Sequence, residues 1–224
     1  MSGYGQYCPM AKAMELLGER WTLLVVRELL LGSSHFNEIR RGVPKMSPGL
    51  LSTRLRTLNR AGIIERREEN GRAVYKLTPR GLELSDVIRS LSEWGMNWAG
   101  KPSDDDLDLQ LLTWDIRRGA MIDAWPRTPT VLAFRMSGVA PKASHWWLLV
   151  VDGQADVCDV DPGYAVSATI TTSLRTLTEA WRGDISWSRA VLNGAVSVDG
   201  PPEVRRALPR WLGLTAASDV SRPA

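Results

Sequence analysis

SPGLLSTRLRTLNRAGIIERREENGRAVYKLT, residues 47–78, is the stretch that decides the fold. Ser47-Pro48 reads as an N-cap followed by proline at the first helical position. Leu51, Leu55 and Leu58 recur at helical spacing and make one apolar stripe. Thr53, Arg56 and Arg60 fall on the opposite face, and Gly62 ends the helix. Ile63–Glu69 and Arg72–Leu77 then flank Asn70-Gly71, the strongest short hairpin signal. A helix with an outward Thr/Arg face, followed at once by a hairpin bearing Arg66, Arg67, Arg72 and Lys76, has the layout of a winged helix-turn-helix. The helix suits a major groove, and the hairpin suits the adjacent backbone or minor groove. The plainer alternative is a small domain with a solvated basic face. Helix, hairpin and their order together favour the first.

Charge agrees. Residues 1–101 carry 16 Lys/Arg against 10 Asp/Glu, and residues 102–224 carry 12 against 15. Between Arg40 and Arg80 there are 11 basic residues and only three acidic ones, Glu65, Glu68 and Glu69. A basic half joined to a mildly acidic half implies that the first half meets a polyanion. At 224 residues the chain has room for two domains. No apolar run is long enough to span a membrane, and residues 1–20 lack a signal-peptide core. Two cysteines, Cys8 and Cys158, make no disulfide framework, so a reducing cytoplasm is expected.

Around the deciding stretch the chain divides readily. Met10, Ala13, Met14 and Leu17 form a first helical stripe, and Trp21–Leu31 a strongly apolar second helix. Phe36 and Ile39 mark a short third, broken by Gly42 and Pro44, which pairs with the Ser47 helix. Thr78-Pro79 starts a fifth helix with Leu84, Val87, Ile88, Leu91, Trp94 and Trp98. That stripe is longer than one small domain covers, so Leu84, Ile88, Leu91, Trp94 and Trp98 are expected at a homodimer interface. Lys101–Asp106 reads as a linker. Beyond it come a helix over Leu107–Ala124 and four strand patterns: Val131–Met136, Trp146–Val151, Ala155–Asp159 and Ala165–Thr171. Helices capped by Ser173 and Ser186, a strand at Ala195–Val198 and a helix from Pro201-Pro202 complete an α+β layout with an expected antiparallel sheet.

The first hundred residues resemble the HxlR family of winged-helix transcriptional regulators. The matching text is Cys8-Pro9, Gly18-Glu19-Arg20-Trp21-Thr22, Phe36-Asn37-Glu38-Ile39, Leu51–Leu58, Val74-Tyr75-Lys76-Leu77-Thr78-Pro79-Arg80-Gly81 and Trp94. The resemblance implies a homodimer formed through terminal helices on a two-fold double-stranded DNA operator. Residues 102–224 resemble a sterol carrier protein type-2-like domain, through Trp146-Trp147-Leu148, Asp152-Gly153, Trp181-Arg182-Gly183-Asp184 and Ala190–Gly200. Most HxlR proteins are a single winged helix, so this second domain is a departure. Its role is read as effector binding or dimer support.

Candidate DNA-contacting residues are Ser47, Ser52, Thr53, Arg54, Arg56, Arg60, Arg66, Arg67 and Arg72. Arg56, Thr53 and Ser52 are the expected base readers, and the hairpin arginines the expected phosphate contacts. Arg54 flanks the apolar stripe, where it reaches either phosphate or a buried acid. Cys8 is a candidate redox switch, as the resemblance implies for a cysteine at this place; the alternative is a small buried hydrophobe. Eight of the ten tryptophans lie beyond residue 97. Trp114, Trp125, Trp146, Trp147, Trp181 and Trp187 either fill a core or line a pocket for an apolar small molecule. No metal or cofactor is expected: two His and two Cys stand in no ligand spacing, and no Walker A, dinucleotide or Gly-x-Ser-x-Gly motif occurs. Nothing supports catalysis. The reading is a DNA-binding transcriptional regulator controlled by an apolar ligand or by Cys8 oxidation. Its rival is a lipid or apolar-molecule carrier whose winged helix serves protein contacts.

Overall fold

Ser47 Oγ accepts the N–H of Leu50 at 3.3 Å, and Pro48 opens the helix that follows. A cap of this kind contributes about 1 kcal/mol. Burial of Leu51, Leu55 and Leu58 on one face contributes more, at roughly 1.5–3 kcal/mol for each such side chain. In the computed structural model, which describes residues 3–214, this helix belongs to the first of two units divided between Gly100 and Lys101. The elements of the first unit are α1 (Pro9–Leu17), α2 (Thr22–Leu30), α3 (Phe36–Gly42), α4 (Pro48–Arg60), β1 (Ile64–Glu69), β2 (Arg72–Leu77), α5 (Pro79–Leu82) and α6 (Leu84–Trp98). Its core joins Val25, Val26 and Leu29 of α2 to Ile39, Leu51, Leu55, Leu58, Ile63 and Ile64. Asn70 and Gly71 take φ of 52° and 73°, the left-handed pair that a two-residue hairpin turn requires. The helix expected from Pro79 to Trp98 breaks at Glu83 into α5 and α6. No helix among the described residues is long and apolar enough to cross a membrane.

The second unit contains α7 (Leu109–Gly119), β3 (Thr130–Ser137), β4 (His145–Val151), β5 (Gln154–Cys158), β6 (Val166–Ser173), α8 (Leu174–Trp181), α9 (Trp187–Leu192), β7 (Val196–Asp199) and α10 (Pro202–Trp211). The five strands form one sheet in the order β5-β4-β3-β6-β7. The expected antiparallel sheet needs correction: β3 and β6 run parallel, so the sheet is mixed. Side-chain alternation fixes which face a strand buries, not which neighbour it finds. Residues 159–165 carry the chain back across β4 and β3 before β6 begins. Leu132, Phe134, Trp146, Leu148, Ile170 and Val196 face the core, packed against Leu112, Ile116, Leu177 and Leu208. The Asp triplet is not a bare linker. Asp104–Asp106 is one turn of 3-10 helix, and Asp104 accepts from Arg175 of α8.

One charged group lies inside the first unit. The side chain of Glu28 is 0% exposed, and its Oε1 accepts from Arg27 Nε at 3.1 Å and Nη2 at 2.8 Å. The same Nη2 donates to the carbonyl of Gly42, the last residue of α3, at 3.0 Å. A Cβ added at Gly42 would lie 1.8 Å from Glu28 Oε2. Glycine there makes room for a carboxylate that cannot move to solvent. Gly42→Ala is therefore expected to lower stability by roughly 1–3 kcal/mol, as overpacking does. Gly49→Ala, with nothing within 4 Å of the added carbon, should lower it by none. Urea unfolding of both variants checks the contrast.

Candidate nucleic-acid interface

The third helix is set by its own first turn. Glu38 accepts the N–H groups of Ser34 at 2.8 Å and His35 at 3.0 Å. Burial pushes its carboxyl up, but those two N–H groups prevail and hold it below the usual carboxylate range. The hairpin is bound to the same place: Tyr75 N donates to Ser34 O at 2.8 Å, and His35 Nδ1 lies 3.2 Å from Ala73 O. At the other end, Arg66 N donates to Asn59 Oδ1 at 3.1 Å, joining β1 to the end of α4. Thr78 Oγ1 donates to Gly62 O at 2.7 Å, and Arg80 to Ala61 O at 3.0 Å. The wing is thereby hydrogen-bonded both to the start of α3 and to the end of α4.

Between them lies a groove of about 320 Å³ lined by Ser52, Leu55, Arg56, Asn59, Arg60, Arg66 and Tyr75. Tyr75 and Asn59 are absent from the expected residues. Tyr75 was recoverable, because the two-residue turn at Asn70-Gly71 pairs it with Arg66. Asn59 carries no such signal, since its role is a side-chain bond to the backbone of another element.

The structure sorts the expected arginines. Of the two alternatives for Arg54, phosphate or an acid, the structure has the acid: it pairs with Glu19, and its Nε donates to the carbonyl of Arg20 at 3.2 Å. With a side chain only 14% exposed, it fastens α4 to the turn where Trp21 takes a φ of 78°. It does not present its charge outward. Arg67 pairs with Glu65 at 2.7 Å and Lys76 with Glu69 at 2.7 Å. Exposed pairs of this kind are worth about 0–1 kcal/mol and exchange readily. Arg56, Arg60, Arg66 and Arg72 are exposed and have no carboxylate partner among the described residues. Arg56 donates to Thr53 Oγ1 at 3.2 Å, which steadies it on the outward face. Ser52 and Thr53 donate to carbonyls one turn back, at 3.0 Å each. Ser47 is occupied as the cap.

Other expected sites fall as follows. Cys8 is the half-exposed N-cap of α1. Burial, then Asp156 and Asp159, push the Cys158 thiol up, which disfavours its thiolate. Trp125 stacks on Trp211 at 4.9 Å and donates Nε1–H to its carbonyl at 2.9 Å. Trp146 stacks on Phe134 at 3.8 Å. Trp114 and Trp187 are buried. Trp181 lies over Gly119, where an added Cβ would meet the ring at 2.2 Å. Trp147 is half-buried on the face of the sheet away from the core. The expected dimer residues divide. Leu84 and Ile88 pack inward on the first unit's core, while Leu91, Trp94 and Trp98 point to solvent with Val87.

Comparison with known proteins places the first unit. The HxlR-like helix-turn-helix family model matches residues 16–103. An uncharacterized HTH-type transcriptional regulator of Bacillus subtilis (strain 168), YvaP, is 36% identical over 97 residues, covering 42% of this chain and 90% of YvaP. The HTH-type transcriptional regulator YodB of the same organism is 35% identical over 91 residues, covering 39% of this chain and 81% of YodB. The solved reduced form of YodB aligns with 31% identity over 42% of this chain and 95% of that one, at a TM-score of 0.37.

Two neighbouring arginines on the wing make a direct test. Arg66 has no carboxylate to leave, whereas Arg67 must give up Glu65. Arg66→Ala should weaken binding to duplex DNA more than Arg67→Ala, and should reduce the slope of log affinity on log salt by about 1. Fluorescence anisotropy with a labelled duplex across a salt series measures both.

Proposed function

Since the chain belongs to the HxlR-like helix-turn-helix family, we propose that it reads a two-fold DNA operator as a homodimer, with α4 in the major groove and the wing on the flanking backbone. The chain is a DNA-binding transcriptional regulator. One observation carries the finer reading: Arg56, Arg60, Arg66 and Arg72 stand without carboxylate partners on one recognition helix and its wing. A guanidinium left unpaired on a surface is ready for phosphate or for guanine, the commonest specific arginine contact. Arg56 sits one turn on from Ser52 and Thr53 on the exposed face, and is assigned to a base. Arg60, Arg66 and Arg72 are assigned to the backbone.

The dimer assignment rests on α6. Val87, Leu91, Trp94 and Trp98 follow one another at helical spacing, and Trp94 and Trp98 are 60% and 66% exposed. Met10 of α1 is exposed as well. Large apolar side chains in one such stripe are those that a second copy covers. The second unit is assigned to a sterol-carrier-like fold that supports the regulator. The text Trp181–Gly200, which spans the end of α8, all of α9 and β7, supports that assignment. Of the two thiols, Cys8 is the one assigned to oxidative control, since the Cys158 thiol is pushed up.

A labelled-DNA shift assay tests the base assignment. Arg56→Ala should cost roughly 1–3 kcal/mol on the cognate operator and relax preference at one base pair per half-site. Equal loss on random DNA would move Arg56 to the backbone contacts. For the dimer, the double variant Leu91→Asp, Trp94→Asp should run as a monomer in light scattering at low micromolar concentration, where the native chain runs as a dimer. A native chain that is itself monomeric, alone and on DNA, removes the dimer.

A further inference from the structure

We propose that the second unit holds a binding site for a small organic oxyanion, a carboxylate or phosphate ester, at the carboxyl ends of the parallel strands β3 and β6. The proposal is independent of the DNA reading, because no residue of the first unit takes part in it. It also differs in chemistry from the apolar ligand that the tryptophans suggest.

The register builds the site. Arg135 of β3 is the direct partner of His145 on β4 and of Thr171 on β6, and Thr171 is the partner of Ser197 on β7. His145, Arg135, Thr171 and Ser197 therefore form one row across four strands. Their neighbours along each strand, Met136, Trp146, Thr172 and Val196, face the core. So the row lies on the opposite face and its side chains meet solvent. A cavity of about 610 Å³ opens there. One rim is the start of α8, where Ser173 ends β6 and caps the helix, its Oγ accepting from Thr176 N at 3.0 Å. The first turn of a helix carries unmet N–H groups and the positive end of the helix dipole. A strand end running straight into such a turn is a recurrent place for anions.

The electrostatics select the ligand. Among the described residues no aspartate or glutamate lines the cavity, although residues 102–224 carry more acidic than basic side chains. Arg135 has no carboxylate partner among the described residues, unlike Arg117, Arg118, Arg175 and Arg182 of the same unit, and among the unpaired arginines there it is the one that lines the cavity. Ser144 Oγ donates to Pro141 O at 2.7 Å and lies 3.0 Å from His145 Nδ1. With the hydroxyl proton used on Pro141, Nδ1–H is the donor in that second contact, and Nε2 of the neutral ring is left as an acceptor. A forked guanidinium and the hydroxyls of Thr171 and Ser197 match the oxygens of a carboxylate or phosphate. The volume exceeds what a bare inorganic ion needs, and Ala195 supplies apolar wall for an organic body.

The test uses the full chain and two probes, phenyl phosphate and benzoate, titrated by calorimetry at constant ionic strength in chloride. At least one probe should saturate a single site per chain. Arg135→Gln should weaken it by about tenfold or more, equivalent to about 1.4 kcal/mol, while Arg66→Gln on the wing leaves it within twofold. Should Arg135→Gln unfold the chain by circular dichroism, Thr171→Val takes its place with the same expected direction. The proposal is overturned if neither probe saturates at millimolar concentration, or if binding survives at the row variants and disappears with Arg66→Gln.

Discussion

The buried carboxylate of Glu28 is the constraint on which the DNA-reading unit turns. A charge removed from water costs several kcal/mol unless its partners replace the lost hydration. Those partners include Arg27, and Arg27 in turn holds the carbonyl that ends α3. One guanidinium thus fixes the distance between the central helix and the first helix of the helix-turn-helix pair. Gly42 is required because any side chain there would occupy the space of the carboxylate. Once α3 is fixed, residues 43–47 leave α4 little freedom: Val43 and Met46 are buried, and Met46 N donates to Val43 O at 2.9 Å. An apolar pair in place of Glu28 and Arg27 would serve packing as well, but it would not specify an angle.

Outward from that clamp the basic residues separate by partner. Arg54 and Arg80 are spent on carbonyls of neighbouring turns, and Arg54 also on Glu19. Arg67 and Lys76 are held by wing glutamates. The arginines left over on α4 and the wing lie around the groove between them or, for Arg72, at the wing's turn. Net charge of the segment therefore overstates what a polyanion meets. The acidic residues of the wing neutralise part of it and leave the rest concentrated next to the recognition helix.

Much of this was legible in the sequence, for identifiable reasons. The caps at Ser47, Thr78, Ser173 and Ser186 all accept from the backbone as their spacing implies. Asn70-Gly71 and Asp152-Gly153 both form the expected hairpins, because only a left-handed pair closes a two-residue turn. These are local signals. What was not legible is non-local. Nothing near Arg54 in the sequence announces Glu19, several helical turns and a second helix away. The division of the α6 stripe depends on which side of the helix the core takes, and a single helical pattern does not say. The parallel pairing of β3 with β6 depends on a connection with no helix to mark it. The polar row at the strand ends becomes visible only when four strands are set side by side, since each strand contributes one unremarkable residue.

That parallel pairing has a kinetic consequence. Leu132 of β3 meets Ala168 of β6 across most of two intervening strands, so the chain must close a long loop before the central ladder rewards it. The helices and hairpin of the first unit join residues much nearer in sequence. On a chain emerging from the ribosome the first unit is also made first. The helix-turn-helix is therefore formed while the sheet is still being assembled. For that interval the first unit is folded while the second is still incomplete.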